Sequence, residues 1–193
     1  MKNRVVIISG FAGSGKTTLA RAISEEFRLR YVSASEILRE LARELGATEG
    51  DSKDWWETEK GMEFVKKRGE DMSFDKELDD RLLSLIGREQ SIVVDSKTMG
   101  NLSKVGFRIW LGASSENRAN RVAGRDNVSS KEVSMKLNDR DEVDKGIYKK
   151  LYDFNLGEDF DNFDLILDTD SFGIEDIKEK VIDKIKNYFD FEE

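Results

Sequence analysis

The chain has 193 residues, 38% of them hydrophobic and 37% charged, with a formal net charge of −8, which supports one domain with its own core and disfavours a surface dedicated to nucleic acid or an anionic membrane. It contains no Cys and no His, so disulfides, thiolate metal sites and every mechanism built on a histidine base, nucleophile or zinc ligand are excluded. No run approaches the ~18 apolar residues of a membrane-spanning helix, the N-terminus does not read as a signal peptide, and the missing cysteines suit a reducing compartment, so the expectation is a cytoplasmic protein without membrane or nucleic-acid partners.

Short apolar segments alternate with helical patterns, the signature of a parallel sheet with crossover helices. A first strand is expected over Arg4–Ser9, followed directly by a glycine loop and a helix from Lys16 to about Phe27 with Leu19, Ala20, Ile23 and Phe27 on one face. Leu29–Ser33 reads as the second strand and Ser35–Leu45 as an amphipathic helix ended by Gly46. The stretch Ala47–Ser73 reads as one or two surface helices broken near Gly61 and Gly69, carrying Trp55 and Trp56 among many charges. Adjacent helical residues point about 100° apart, so packing is favoured over both indoles serving one site. Helix is expected again over Phe74–Ile86, strands over Ser91–Asp95 and Phe107–Leu111, and helices over Ser115–Ala123 and Ser130–Tyr152, separated by a charged loop at 124–127. Leu165–Leu167 makes a fifth strand and Ile174–Phe189 a closing helix, all within one domain, 1–193.

The segment Gly10-Phe11-Ala12-Gly13-Ser14-Gly15-Lys16-Thr17-Thr18 carries the chemistry. Its G-x-x-x-x-G-K-[ST] spacing, between a strand and a helix, is that of a phosphate-binding loop. Glycines let successive backbone N–H groups face inward at a helix N-terminus and form an anion nest. The motif assigns Lys16 to the β- and γ-phosphates of ATP and the Thr17 hydroxyl to Mg²⁺. No Asn-Lys-x-Asp run is present, which favours ATP over GTP. Asp95, ending an apolar strand, reads either as a Mg²⁺ or acceptor carboxylate or as a helix N-cap.

Beyond this loop the chain resembles the short archaeal-type cytidylate kinases, within the nucleoside monophosphate kinases. The resemblance runs through residues 8–18, then Tyr31 to Arg39, then the Asp75-x-x-x-Asp79-x-Arg81 helix start, then Arg118 to Asp126, and last Phe163 to Thr169. It implies a three-layer α/β P-loop kinase fold with a central parallel sheet of about five strands, a helical monophosphate-binding region over 34–90 and an Arg-rich lid at about 121–140. It also implies ATP as phosphoryl donor, Mg²⁺ as cofactor and CMP or dCMP as acceptor, in a monomer or weak dimer. Ser33, Ala34, Arg39, Asp95, Lys97, Arg140 and Lys145 would serve the acceptor, with Thr17 and Asp95 at the metal. Lys16, Arg121 and Arg125 would act on the transferring group, although in a chain this charged each arginine also reads as a surface ion pair.

Two departures bear on the acceptor. Asp95-Ser96-Lys97 has lysine where the family has arginine, which keeps the charge and loses the bidentate fork. Lys145-Gly146-Ile147-Tyr148 replaces a basic pair before the tyrosine, and Ile147 cannot bind phosphate. The alternative reading is therefore a divergent kinase-like ATPase or nucleotide-binding protein with a different acceptor or a regulatory role.

Overall fold

The computed structural model describes residues 4–44, 46, 55–89, 91–126 and 128–190. Five strands, β1 (Arg4–Ser9), β2 (Arg30–Ser33), β3 (Ser91–Asp95), β4 (Phe107–Gly112) and β5 (Leu165–Asp168), form one sheet in the order β2-β3-β1-β4-β5. Every pairing is parallel. Because side chains alternate along a strand, the Val-Val-Ile-Ile run of β1 feeds two cores. Val5 and Ile7 join one cluster, while Val6 and Ile8 join the other.

Eight α-helices and a 3₁₀ turn (Trp55–Glu57) complete the described chain: α1 (Lys16–Phe27), α2 (Ala34–Glu44), α3 (Glu59–Glu70), α4 (Ser73–Arg88), α5 (Met99–Leu102), α6 (Ser115–Asp126), α7 (Ser130–Tyr152) and α8 (Ile174–Phe189). On one side of the sheet α1 contributes Leu19, Ala20 and Ile23, and α8 contributes Ile177, Val181 and Ile185. On the other, Leu38 and Leu41 of α2 pack with Phe64 of α3 and Leu78 and Leu82 of α4. The three-layer α/β arrangement with a five-stranded parallel sheet is the expected one.

The register positions the site. Ile8 of β1 and Ser33 of β2 both pair with Asp95 of β3. The glycine loop, the start of α2 and the Asp95–Lys97 segment thus emerge side by side at the carboxyl ends of the strands, where open parallel sheets bind ligands.

Two local expectations need correction, and one element was not expected. Residues 47–54 lie outside the described residues, but beyond them α3 runs unbroken through Gly61 and Gly69 and is a surface helix on one side only, where Glu63, Lys66 and Lys67 are exposed. Phe64, Val65 and Arg68 are buried, because one face packs into the core while α7 covers another. Gly61 is required by close approach: a Cβ there would sit 2.1 Å from the Trp55 carbonyl oxygen. Trp55 and Trp56 are both buried, with ring centroids 4.7 Å apart, and both pack against Phe64. Second, Gly124, Arg125 and Asp126 are the last turn of α6 and not a loop; Val122 and Ala123 pack on Val133 and Leu137 of α7 and carry the helix onward, while Asn127 lies outside the described residues. The unexpected element, α5, is a single turn, too short to show a periodicity in sequence.

Candidate active site

The loop between β1 and α1 is shaped by its glycines. Gly10, Gly13 and Gly15 all hold positive φ, at 147°, 82° and 95°. A Cβ on Gly13 would lie 2.8 Å from the Arg118 carbonyl oxygen, so neither the dihedral nor the space admits a side chain. Lys16 donates from Nζ to the Phe11 carbonyl oxygen at 2.9 Å, folding back over its own loop. Burial pulls its ammonium down to about 8, an effect that the nearby Asp95 carboxylate opposes. An anion beside it therefore has a partly desolvated cation to neutralise. The Ser14 hydroxyl is buried in the same loop and has no hydrogen-bond partner among the described residues, an orphaned group suited to a phosphate oxygen.

Thr17, the second residue of α1, donates its hydroxyl to Asp95 Oδ2 at 2.5 Å. Asp95 is buried at the end of β3 and also lies 3.4 Å from the Tyr31 hydroxyl. It does not cap α5, whose N-cap is Thr98. Hydroxyl and carboxylate oxygens held together at the edge of a phosphate nest form a hard donor set. Mg²⁺, which takes one or two protein oxygens and completes its shell with water and substrate phosphates, fits it.

A cleft holding about 980 Å³ of space, part of it open to solvent, runs from this loop toward α2, α3 and α7. Lys16, Thr17, Ala34, Arg39, Lys97 and Arg140 all line it. Arg125 reaches the cleft from α6 while forming a two-pronged ion pair with its neighbour Asp126, both contacts at 2.6 Å. Arg140 is buried on α7, its guanidinium 5.2 Å from the centre of the Trp56 ring. Lys97 pairs with the Asp144 carboxylate. Burial opposes the charge on Asp144, but Lys97 and Arg68 more than offset this and hold its carboxyl down at about 2.

Other expected residues lie elsewhere. Arg121 grips the segment after β5, donating to the Thr169 hydroxyl and carbonyl, both at 2.7 Å, and it does not line the cleft. Lys145 sits outside the cleft, paired with Glu142 at 2.9 Å and 5.9 Å from the Phe11 ring centre. Ser33 is buried behind the cleft wall, and Thr18 is exposed on α1. Ile147 is buried beside Trp110, Tyr148 and Leu156, so its position faces a core and not the cleft.

Sequence reasoning gave no site role to several residues that line the cleft, and favoured packing for Trp56. Arg68, Asp144, Tyr148 and Trp56 all line the cleft. Arg68 forms a fork on Asp75 and reaches Asp144, and the Tyr148 hydroxyl donates to Asp75 Oδ1 at 3.0 Å. For Arg68, Asp144 and Tyr148 the only sequence signal was one of type, charged residues and tyrosine in helices, which is also the pattern of a solvated surface. Arg118, which begins the Arg118–Asp126 segment of the resemblance, is buried. It donates to the Ala12 carbonyl at 3.2 Å and pairs with Asp141 at 2.7 Å, tying the loop to α6 and α7.

With this geometry in hand, comparison with known proteins is direct. Among solved structures of similar fold, shikimate kinase from Acinetobacter baumannii in complex with shikimate superposes with a TM-score of 0.55 at 16% identity, covering 96% of this chain and 94% of its own. A gluconokinase from Sinorhizobium meliloti 1021 superposes with a TM-score of 0.51 at 16% identity, covering 98% of each chain; these likenesses establish the fold alone. In sequence, the chain is 31% identical over 186 residues to the cytidylate kinase of Sulfurisphaera tokodaii, covering 95% of this chain and 96% of that one. It is 32% identical over 177 residues to the cytidylate kinase of Pyrococcus horikoshii, covering 90% of this chain and 83% of that one. The profile of the cytidylate kinase-like family matches residues 5–171, and the chain belongs to this family of nucleoside monophosphate phosphotransferases.

Proposed function

We propose that the protein transfers the γ-phosphoryl group of ATP to CMP or dCMP, giving ADP and the corresponding diphosphate. The observation that carries this reading is one continuous cleft lined both by the phosphate-loop groups Lys16 and Thr17 and by Arg39, Lys97 and Arg140. Two sets of cations facing one space suit a reaction between two phosphorylated substrates. Relatives bearing the name cytidylate kinase over nearly the whole chain support the choice of base.

Phosphoryl transfer asks a protein mainly for positioning and charge neutralisation. The glycine loop would cradle the donor phosphates with its N–H groups. Lys16 would exchange its bond to the Phe11 carbonyl for the β/γ oxygens. Thr17 and Asp95 would hold Mg²⁺, which when bound offsets negative charge on those phosphates. Arg39, Lys97 and Arg140 would aim the acceptor phosphate in line with the donor. Arg125 would cover the transferring group, while Arg121 would act from behind by fixing the segment after β5. The acceptor is already anionic at neutral pH, so no general base is needed, in keeping with a chain without His.

The test is release of ADP from ATP and Mg²⁺ with CMP, dCMP, UMP, AMP, GMP or no acceptor. Strong stimulation by CMP or dCMP, with the diphosphate appearing, supports the reading. Stimulation by another monophosphate reassigns the base, and acceptor-independent hydrolysis sinks the kinase assignment.

A further inference from the structure

Arg68 is unusual among the cations of the cleft. It stands on α3, is 5% exposed, and still lines the cavity. Its guanidinium is held from two sides: Nε and Nη2 donate to the two oxygens of Asp75 at 3.1 and 2.5 Å, and Nη2 also donates to Asp144 Oδ1 at 2.9 Å. Asp75 and Asp144 are buried as deeply as any residues of the core, and Asp75 is itself fixed by the Tyr148 hydroxyl. Nη1 is the one nitrogen of this guanidinium that no acceptor among the described residues takes up, and it is not among the buried polar atoms left without a partner.

A buried arginine with two carboxylates and one unused edge is expensive to maintain if stability is its only purpose, since apolar side chains of similar volume would serve as well. The neighbouring cation makes the arrangement intelligible. Lys97 spends its ammonium on the other oxygen of Asp144, and a lysine offers a phosphate only a point charge on a flexible stem. Arg68, fixed by Asp75 and Asp144, presents a planar donor that needs no ordering when a ligand arrives.

We propose that Arg68 is a binding residue for the acceptor's phosphate, supplying through Nη1 the rigid guanidinium contact that Lys97 does not provide. The inference rests on the nucleotide-kinase reading and deepens it by naming the group that tells a nucleoside monophosphate from a nucleoside. Burial works against the charge of Arg68, but Asp144 and Asp75 outweigh it and keep the guanidinium protonated at every accessible pH.

The experiment is calorimetric binding of CMP and of cytidine to the wild type, Arg68→Lys and the double variant Arg68→Met with Asp75→Asn, with thermal denaturation of each. Arg68→Lys keeps the charge for Asp75 and Asp144 but removes the Nη1 donor. It is expected to weaken CMP about tenfold or more, the scale of one charge-assisted hydrogen bond, with cytidine affinity and the KM for ATP within twofold. The double variant removes the guanidinium together with one of its buried carboxylates; it is expected to lose the same preference for CMP over cytidine, and it keeps the proposal decidable if the lysine variant does not fold. A preference unchanged in a variant that folds overturns the proposal. Failure of the acceptor reading looks different: the wild type then prefers another monophosphate, and the ratio for that nucleotide against its nucleoside decides Arg68 instead. Binding of no monophosphate by the wild type overturns both.

Discussion

The Thr17 hydroxyl meets Asp95 Oδ2 at 2.5 Å, joining residues 78 positions apart in the chain. Parallel pairing of β1 with β3 makes this contact, since it sets Ile8 beside Asp95 and lets α1 start immediately above. A hydroxyl at the start of α1 and a carboxylate at the end of β3, which sequence alone does not connect, are thereby brought together.

If that pair holds the cation, Asp95→Asn should depress kcat roughly 10²-fold, the scale of losing one preorganised electrostatic group, and raise the Mg²⁺ concentration needed for half-maximal rate. Mn²⁺ should restore part of the rate. A Mg²⁺ titration of rate, with circular dichroism to verify folding, checks this. A variant with unaltered Mg²⁺ dependence places the metal elsewhere.

Lys16→Ala and Arg39→Ala should separate the two ends of the cleft. The first is expected to cut turnover by about 10² or more with the fold intact. The second is expected to raise the KM for the acceptor about tenfold while the KM for ATP stays near the wild-type value. Steady-state kinetics with each substrate varied in turn provides the readout. Equal effects of Arg39→Ala on both constants would contradict a divided cleft.

Asp79 is fully buried in α4, its Oδ1 accepting from the Thr98 hydroxyl at 3.3 Å. Burial, reinforced by the neighbouring Asp75 charge, pushes its carboxyl up to about 7 from an ordinary 3.8. The folded state therefore binds this proton more tightly than the unfolded chain does. The resulting stabilisation is complete below pH 4 and is lost as pH rises through 7, by up to roughly 4 kcal/mol. Asp79→Asn cannot titrate, so its stability relative to wild type should climb between pH 5 and 8. Urea denaturation of both proteins across that range tests the sign, and parallel curves would falsify the assignment.

Two glycines in helices should respond in opposite directions to the same substitution. Gly61→Ala pushes a methyl group against the Trp55 carbonyl and should cost about 1–3 kcal/mol. It should also weaken acceptor binding, because the adjoining Trp56 lines the cleft. Gly87 has open space where its Cβ would stand, so Gly87→Ala should stabilise by roughly 0.5–1 kcal/mol through helix propensity. Thermal denaturation of the two variants compares them directly.

The features legible in sequence are those whose cause is local. The phosphate loop is a run of adjacent residues whose backbone makes the site, so Gly10 to Thr17 carried both the structure and its chemistry. Strands β1, β3 and β4 announced themselves as apolar runs, and α1, α4 and α8 by helical spacing, because burial of a strand or a helix face follows directly from side-chain order. The parallel three-layer architecture followed from their alternation. Only the tertiary structure decided which charges face the cleft. Arg39, Arg121 and Lys145 look alike on paper, yet the first lines the cleft, the second clamps Thr169, and the third lies outside beside Glu142. Arg68, Asp75 and Asp144 come from three different helices, and the packing of α3 and α4 with α7 brings them together. A charged side chain carries no periodic signature of its own, so whether it becomes solvated surface or a buried electrostatic group depends on what the fold places against it.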